Sequence, residues 1–485
     1  NKMFSGITED ARIQAVLVGF IFAGFIEGSA GFGTPAALAA PILISLGFPP
    51  LAAAAVCLIY NSTPVNPGPV GVPLITAASV VSDAVTNLGG DNSKFSHLLT
   101  IWTCIPHMIG GVFIIMTGVF VLTKVFGKNH SFKDAVPAIP FCLLTAVVLG
   151  ALYIPLSIFG TTELVSMLSF IIALPILIFC AKKGILMPKK IWNFDGYAEW
   201  GDKTMSSSAV VSSVKEKEMN PLLAWLPYIV IGALLVMTRL NVAGLKTLFT
   251  NDPCIIHIRS ILGFENINWD FKILYNPGFF PFLPIALLTI PMHKMTKEEA
   301  KLAITDSFRQ IIGAAIALFF GVAMVNLYRY PSNTDIGMSM DSARAAAEYT
   351  FKNSSMLYAM ARALADLFSS AYFLIAPLIG VLGAFMSGSC TVSNTLFASL
   401  QFETATLVGL SQVFIVALQS MGGAIGNMIC VNNIVSVCAT TGTNGNEGKL
   451  IRTNIIPCLM YACIVAIVVG ILLKAGVNPM PELLK

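Results

Sequence analysis

Hydrophobic runs of membrane-crossing length recur along the chain, at 11–26, 98–122, 137–158, 164–181, 222–239, 278–292, 310–328, 371–386 and 455–474. A bilayer-crossing helix needs about 20 mostly apolar residues, so these runs predict transmembrane helices. Two further regions, 28–75 and 388–442, are apolar enough for the membrane yet broken by Gly, Pro, Ser, Thr and Asn. The pattern as a whole predicts an all-α integral membrane protein of roughly 11 transmembrane segments plus re-entrant hairpins.

Lys and Arg in the connections supply an orientation. Lys124, Lys128 and Lys133 mark one inner connection, and two crossings later come Lys182, Lys183, Lys189, Lys190, Lys203, Lys215 and Lys217. Two crossings after that stand Lys294, Lys297, Lys301 and Arg309, so the alternation is self-consistent. The polar stretch 182–220 cannot bury a core. It reads as a cytoplasmic linker between a first transmembrane half, 1–181, and a second, 221–485, or as an inserted loop.

The two broken regions share a plan. Gly28-Ser29-Ala30-Gly31-Phe32-Gly33-Thr34-Pro35 precedes an apolar run and then Asn61-Ser62-Thr63-Pro64-Val65-Asn66-Pro67-Gly68. Gly388-Ser389-Cys390-Thr391-Val392-Ser393-Asn394-Thr395 precedes an apolar run and then Gln419-Ser420-Met421-Gly422-Gly423-Ala424-Ile425-Gly426-Asn427. Matching interruptions in two halves are a pointer to the binding site of a secondary transporter. A helix broken inside the membrane leaves N–H and C=O groups that hydrocarbon cannot satisfy, so they face a ligand, an ion or water. Half-helix N-termini carry roughly +0.5 of an elementary charge and hold an anion without a buried Lys or Arg. Small residues also let membrane helices pack closely, and Gly19, Gly24 and Gly110 are read that way.

Composition narrows the class. Hydrophobic residues make up 56% and charged residues 11%, against roughly 25% charged in a soluble domain. The net charge of +4 is spread out, with no basic stripe of the nucleic-acid kind. Ten cysteines stand singly, with neither a disulfide framework nor a metal-ligand cluster, so no cofactor is expected. The chain begins at Asn1 with a membrane helix almost immediately after it, from which a missing N-terminal part is expected.

Glu27 closes the apolar run 11–26 and opens the first glycine cluster. An ionised carboxyl there costs on the order of 3 kcal/mol on insertion scales, so it is rare and by default functional. It suits a group that takes up and releases a proton, or one that caps a half-helix or pairs with a cation. Glu403 is expected in a re-entrant turn, and Arg239 and Arg329 at helix ends where long side chains snorkel. Arg362 and Asp366 read as an ordinary i,i+4 pair. The five histidines are dispersed, with His107 the one expected inside the membrane.

The block Phe25-Ile26-Glu27-Gly28-Ser29-Ala30-Gly31-Phe32-Gly33-Thr34-Pro35, followed by Leu46-Gly47-Phe48-Pro49-Pro50-Leu51, closely resembles the L-lactate permease family of bacterial carriers. The match continues in Asn61-Ser62-Thr63-Pro64-Val65, Ala224-Trp225-Leu226-Pro227-Tyr228, Ser387-Gly388-Ser389, Ser393-Asn394, Gly422-Gly423, Gly426-Asn427-Met428-Ile429 and Glu447-Gly448 with Arg452. Cys390 stands where the family usually has Asn or Asp, and Asn432 where Gln or His is common. The resemblance implies proton symport of lactate, glycolate and related 2-hydroxy monocarboxylates across the bacterial cytoplasmic (inner) membrane. It also implies inverted repeats with paired re-entrant hairpins.

On that reading, substrate sits between the hairpin tips. The carboxylate is expected on Gly28, Ser29, Gly31, Gly33 and Thr34 of one tip and Gly388, Ser389 and Thr391 of the other. The hydroxyl is expected on Asn61, Ser62, Thr63, Ser393 or Asn394, with Gln419 and Asn427 nearby, and the coupled proton on Glu27. The partners implied are the small carboxylate, the proton and the lipid bilayer, with no nucleic acid and with homo-oligomer formation left open. Rival readings are a carrier of another anion, a sodium-coupled dicarboxylate for example, a channel, or a membrane enzyme. The last would need an activated nucleophile, a metal cluster or an acid/base pair, which the sequence does not offer.

Overall fold

The computed structural model describes residues 6–29, 31, 34–197, 221–239, 242–260, 269–276, 279–329 and 356–483. The second part of the expected linker, from residue 198, lies outside them. The described chain is helical throughout, as expected, apart from one small hairpin. It divides into two compact units, Asn1–Val210 with Ile316–Lys485, and Val211–Ala315.

In the first unit the helices are α1 (Ala11–Ser29, with a π-helical stretch Ala15–Phe22), α2 (Thr34–Ser45), α3 (Pro50–Asn61), α4 (Val72–Val80), α5 (Asn92–Val125), α6 (Ile139–Phe159) and α7 (Val165–Lys182). The second unit holds α8 (Pro221–Arg239) and α9 (Phe282–Met292), which pack on each other. Its strands β1 (Ile256–Ile258) and β2 (Trp269–Phe271) pair antiparallel with His257 opposite Asp270. The His257 hydrogen bond, with Arg259 beside it, holds the exposed Asp270 carboxyl below its usual range. Arg239 does not snorkel. It is buried, with its guanidinium 3.9 Å above the Tyr275 ring.

After α10 (Lys297–Arg329) come α11 (Met356–Phe368), α12 (Ala376–Ser387), α13 (Cys390–Val408), α14 (Gln412–Gly426), α15 (Val431–Thr441) and α16 (Glu447–Lys474). Among the described residues six helices are long and apolar enough to cross a membrane, and the chain bends by 94° between α11 and α12. Of the expected spans, 278–292 is a helix of 11 residues and 371–386 begins at that bend, whereas 222–239 and 310–328 lie within the unbroken helices α8 and α10. Glu403 lies within α13 and not in a turn.

Three helices are buried on almost every face: α1, α3 and α14. Their sequences are apolar all round, which marks an interior helix. Glycines set the packing. A side chain on Gly24 would meet Phe170, and one on Gly110 would meet Tyr461. α5, α6, α7 and α16 are buried on one side and present Phe113, Val147, Phe159, Phe179, Ile456 and Ile471 on the other, as lipid-facing spans do.

The order helix, break, helix, turn, helix, break, helix occurs twice, in α1–α4 and in α12–α15. Helix α5, 34 residues and about 51 Å long, serves as a ruler for their directions. At its Val125 end Arg12, just inside α1, donates to the carbonyls of Asp134 and Lys190, and Phe48, just past α2, meets Phe194 at 5.2 Å. At its Asn92 end Phe95 meets Phe402 of α13 at 6.0 Å, and Trp102 meets Phe414 of α14 at 5.0 Å. The hairpin α1–α2 thus opens toward one end of α5 and the hairpin α12–α13 toward the other. Lys124, Lys128 and Lys133 lie at the Val125 end, the end expected from the charge pattern to face inward. The repeats interlock reciprocally: α4 packs on α13, and α2 on its counterpart's equivalent partner, α15.

Candidate functional site

The four interruptions converge. One crevice is lined by Glu27 at the end of α1, by Val65 and Pro69 between α3 and α4 and Pro73 in the first turn of α4, by Gly388, Ser389, Cys390 and Thr391 at the α12–α13 tip, and by Asn427 after α14. Its free volume of about 20 Å³ accommodates a water molecule but not a three-carbon acid.

The second tip is built by capping. Gly388 ends α12 with φ +80°, a left-handed conformation that glycine adopts without strain. A side chain there would also strike Asn432, which covers it. Ser389 then starts α13, its hydroxyl accepting from Val392 N. The first turn of α13 lines the crevice, and the leading N–H groups of a helix have no partner within it.

At the first tip Glu27 is buried and hydrogen-bonds the Asn61 side chain, while its Oε2 and the Asn61 Oδ1 have no partner. Gly28 does not face the crevice, since a Cβ there would lie 2.7 Å from the Met167 backbone of α7. Ser29 turns its hydroxyl back to the carbonyls of Phe25 and Ile26 at 3.2 and 3.0 Å. Gly31 has φ +63° and lies against Pro69, and its carbonyl accepts from Thr34 N at 3.2 Å. Gly33 lies outside the described residues.

The carbonyls exposed where α3 stops are covered by side chains from distant spans. His107 Nε2 lies 3.2 Å from Ser62 O and 3.1 Å from Thr63 O, and Ser166 Oγ donates to Pro64 O at 2.9 Å. Tyr461 stacks on the His107 ring at 5.1 Å and donates its hydroxyl to His107 O at 2.8 Å. Asn454 donates to Met428 O at 3.1 Å, doing the same after α14.

Behind the crevice a polar network joins the repeats. Asn66 Nδ2 donates to Ser420 O at 2.7 Å and Asn66 Oδ1 accepts from Ser420 Oγ at 3.0 Å, while Asn394 donates to Ser420 Oγ and to Pro73 O, both at 2.9 Å. The Cys390 thiol lies 3.4 Å from Ser420 O. Gln419 donates to Ser393 Oγ at 3.0 Å and accepts from Gln401, which accepts in turn from Tyr372. Of the expected site residues, Glu27, Gly388, Ser389, Thr391 and Asn427 therefore line the crevice, and Asn61 stands beside Glu27. Ser393, Asn394 and Gln419 brace it from behind. Ser62 and Thr63 lie in the turn that leads from α3 to Val65, which lines it. Sequence reading passed over Asn66, Ser420, Gln401, Tyr461 and the bracing use of His107.

Other proteins share this sequence along its length. A Haemophilus influenzae protein is 30% identical over 490 residues, covering 96% of this chain and 81% of that protein. The L-lactate permease of Escherichia coli K12 is 28% identical, and so is its Glycolate permease GlcA; each match covers 95% of this chain and 78% of the relative. No solved structure matches. The family model described as L-lactate permease matches residues 1–475, and the chain therefore belongs to the L-lactate permease family.

Proposed function

We propose that this chain is a secondary active carrier that takes up L-lactate, glycolate and related 2-hydroxy monocarboxylates with a proton, by alternating access, in the bacterial cytoplasmic membrane. The observation that carries the reading is the convergence of four helix breaks on one crevice holding a single carboxyl, Glu27. The substrate carboxylate rests on the first turn of α13, from Gly388 to Thr391, with Glu27, Val65, Pro69 and Pro73 forming the opposite wall. The capped ends of α3 and α14 remove the negative dipole ends that would repel it.

Coupling follows from charge. Two carboxylates about 5 Å apart repel by about 3 kcal/mol at an effective dielectric of ~20. The anion and a proton on Glu27 therefore favour each other's binding, which is the thermodynamic content of symport. The crevice is too small for the acid as it stands, so loading requires its lining to open. The residues 182–220 join the two halves as a cytoplasmic linker in this reading.

Reconstitution in liposomes with radiolabelled L-lactate under an imposed pH gradient, with a sodium-free control, tests it. Glu27→Gln is expected to abolish proton-driven accumulation and to spare exchange of internal for external lactate. Normal accumulation by Glu27→Gln removes the coupling role. Uptake that demands sodium removes the proton.

A further inference from the structure

We infer that Asn427 is the residue that reads the 2-hydroxyl of the substrate, and so makes the site select 2-hydroxy acids over their unsubstituted counterparts. The assignment rests on the carrier reading above.

Most hydroxyls and amides near the crevice are already engaged. Ser62 Oγ donates to Ile59 O at 2.7 Å, and Ser393 Oγ to Gly380 O at 2.9 Å. The Asn394 amide nitrogen is held by Pro73 and Ser420, and Asn394 does not line the crevice. Ser389 Oγ accepts from Val392 N. Two crevice-lining side chains keep a buried oxygen without a partner, Glu27 Oε2 and Asn427 Oδ1, and Asn427 is 6% exposed.

Both are acceptors, and an amide oxygen can only accept. A carboxylate brings no donor to meet them. A proton on Glu27 turns its own oxygen into a donor, which leaves Asn427. The hydroxyl on the carbon next to the carboxylate is the O–H donor that a 2-hydroxy monocarboxylate carries. With the carboxylate on the first turn of α13, Asn427 shares the same crevice wall. A site that hydrogen-bonds a substrate hydroxyl rejects the analogue lacking it, because the site's own polar group is then left unpaired. Hydrophobic contact alone would not discriminate in this way.

The test uses pairs of acids that differ only by that hydroxyl, L-lactate against propionate and glycolate against acetate, competing with radiolabelled L-lactate in proteoliposomes of the full chain. For the native protein, propionate is expected to compete at least tenfold more weakly than lactate. Asn427→Leu, similar in size but without the acceptor, should weaken lactate at least tenfold, leave propionate unchanged and bring the ratio near one. Asn427→Asp should weaken both through its charge and keep their ratio. Propionate equal to lactate on the native protein overturns the assignment without any variant, as does Asn427→Leu weakening both acids in proportion. Native chain that takes up no lactate at all overturns the carrier reading itself, and the assignment with it.

Discussion

His107 places a ring nitrogen against two carbonyl oxygens, Ser62 O and Thr63 O. Both partners only accept, so Nε2 carries a hydrogen and donates to them. The residue closes the electronegative end of α3 next to a crevice proposed for an anion, immediately after Asn61, the partner of Glu27. Removing the ring leaves two buried carbonyls unpaired, at about 1–3 kcal/mol each. His107→Ala is therefore expected to lower thermal stability in detergent and to raise the lactate KM tenfold or more. His107→Gln, which restores an N–H donor, should recover part of both. A native KM in His107→Ala would remove the positioning role. Sequence alone presented His107 as a histidine in an apolar helix, since the carbonyls it covers lie 44 and 45 residues away. Tyr461, 354 residues from His107, was out of reach for the same reason.

At the scale of elements, the breaks were legible and their exact register was not. Clusters of Gly, Pro and Asn break an apolar helix where a single proline such as Pro106 does not, so 28–75 and 388–442 are legible from sequence as the broken regions. The blocks that begin at Asn61 and at Gln419 correspond in plan, yet α3 ends at Asn61 while α14 runs on to Gly426. Gln419 lies inside α14 because Met421, Gly422 and Gly423 remain helical, held by close packing on α12. A Cβ on Gly422 would sit 2.0 Å from Pro377 O, and one on Gly380 2.3 Å from Gln419 O. Glycine runs thus serve two ends in one chain, breaking helices at Gly388 and joining them at Gly422, and composition cannot tell these apart. Gly422→Ala is expected to force α12 from α14 and to destabilise by about 3 kcal/mol, seen as a lower midpoint of thermal unfolding. Gly448→Ala, where nothing lies within 4 Å, is the control that should leave the midpoint unchanged.

Across the whole first unit, the reciprocal packing of α4 on α13 and of α2 on α15 ties the two repeats into one block. The hydrogen bonds of Asn66 and Asn394 to Ser420 stitch the same seam within the interior. Breaking that seam during transport would strand several buried polar groups at once, each at about 1–3 kcal/mol. Moving the interlocked block against the outer helices keeps that seam whole and gives up instead the caps that His107, Ser166 and Asn454 place on the helix ends, which lie toward the rim of the block. The alternating movement is thus expected to carry both tips together, with Glu27 and Asn427 keeping their places in the crevice. Ser399 Oγ donates to Val80 O at 3.3 Å, directly across the seam between α13 and α4. A Val80→Cys, Ser399→Cys pair joined by a short bifunctional thiol reagent should therefore retain uptake of radiolabelled lactate at near the rate of the unlinked pair. Loss of uptake on linking, restored when a cleavable linker is reduced, would place the moving boundary between the repeats and require the Ser420 network to open in every cycle.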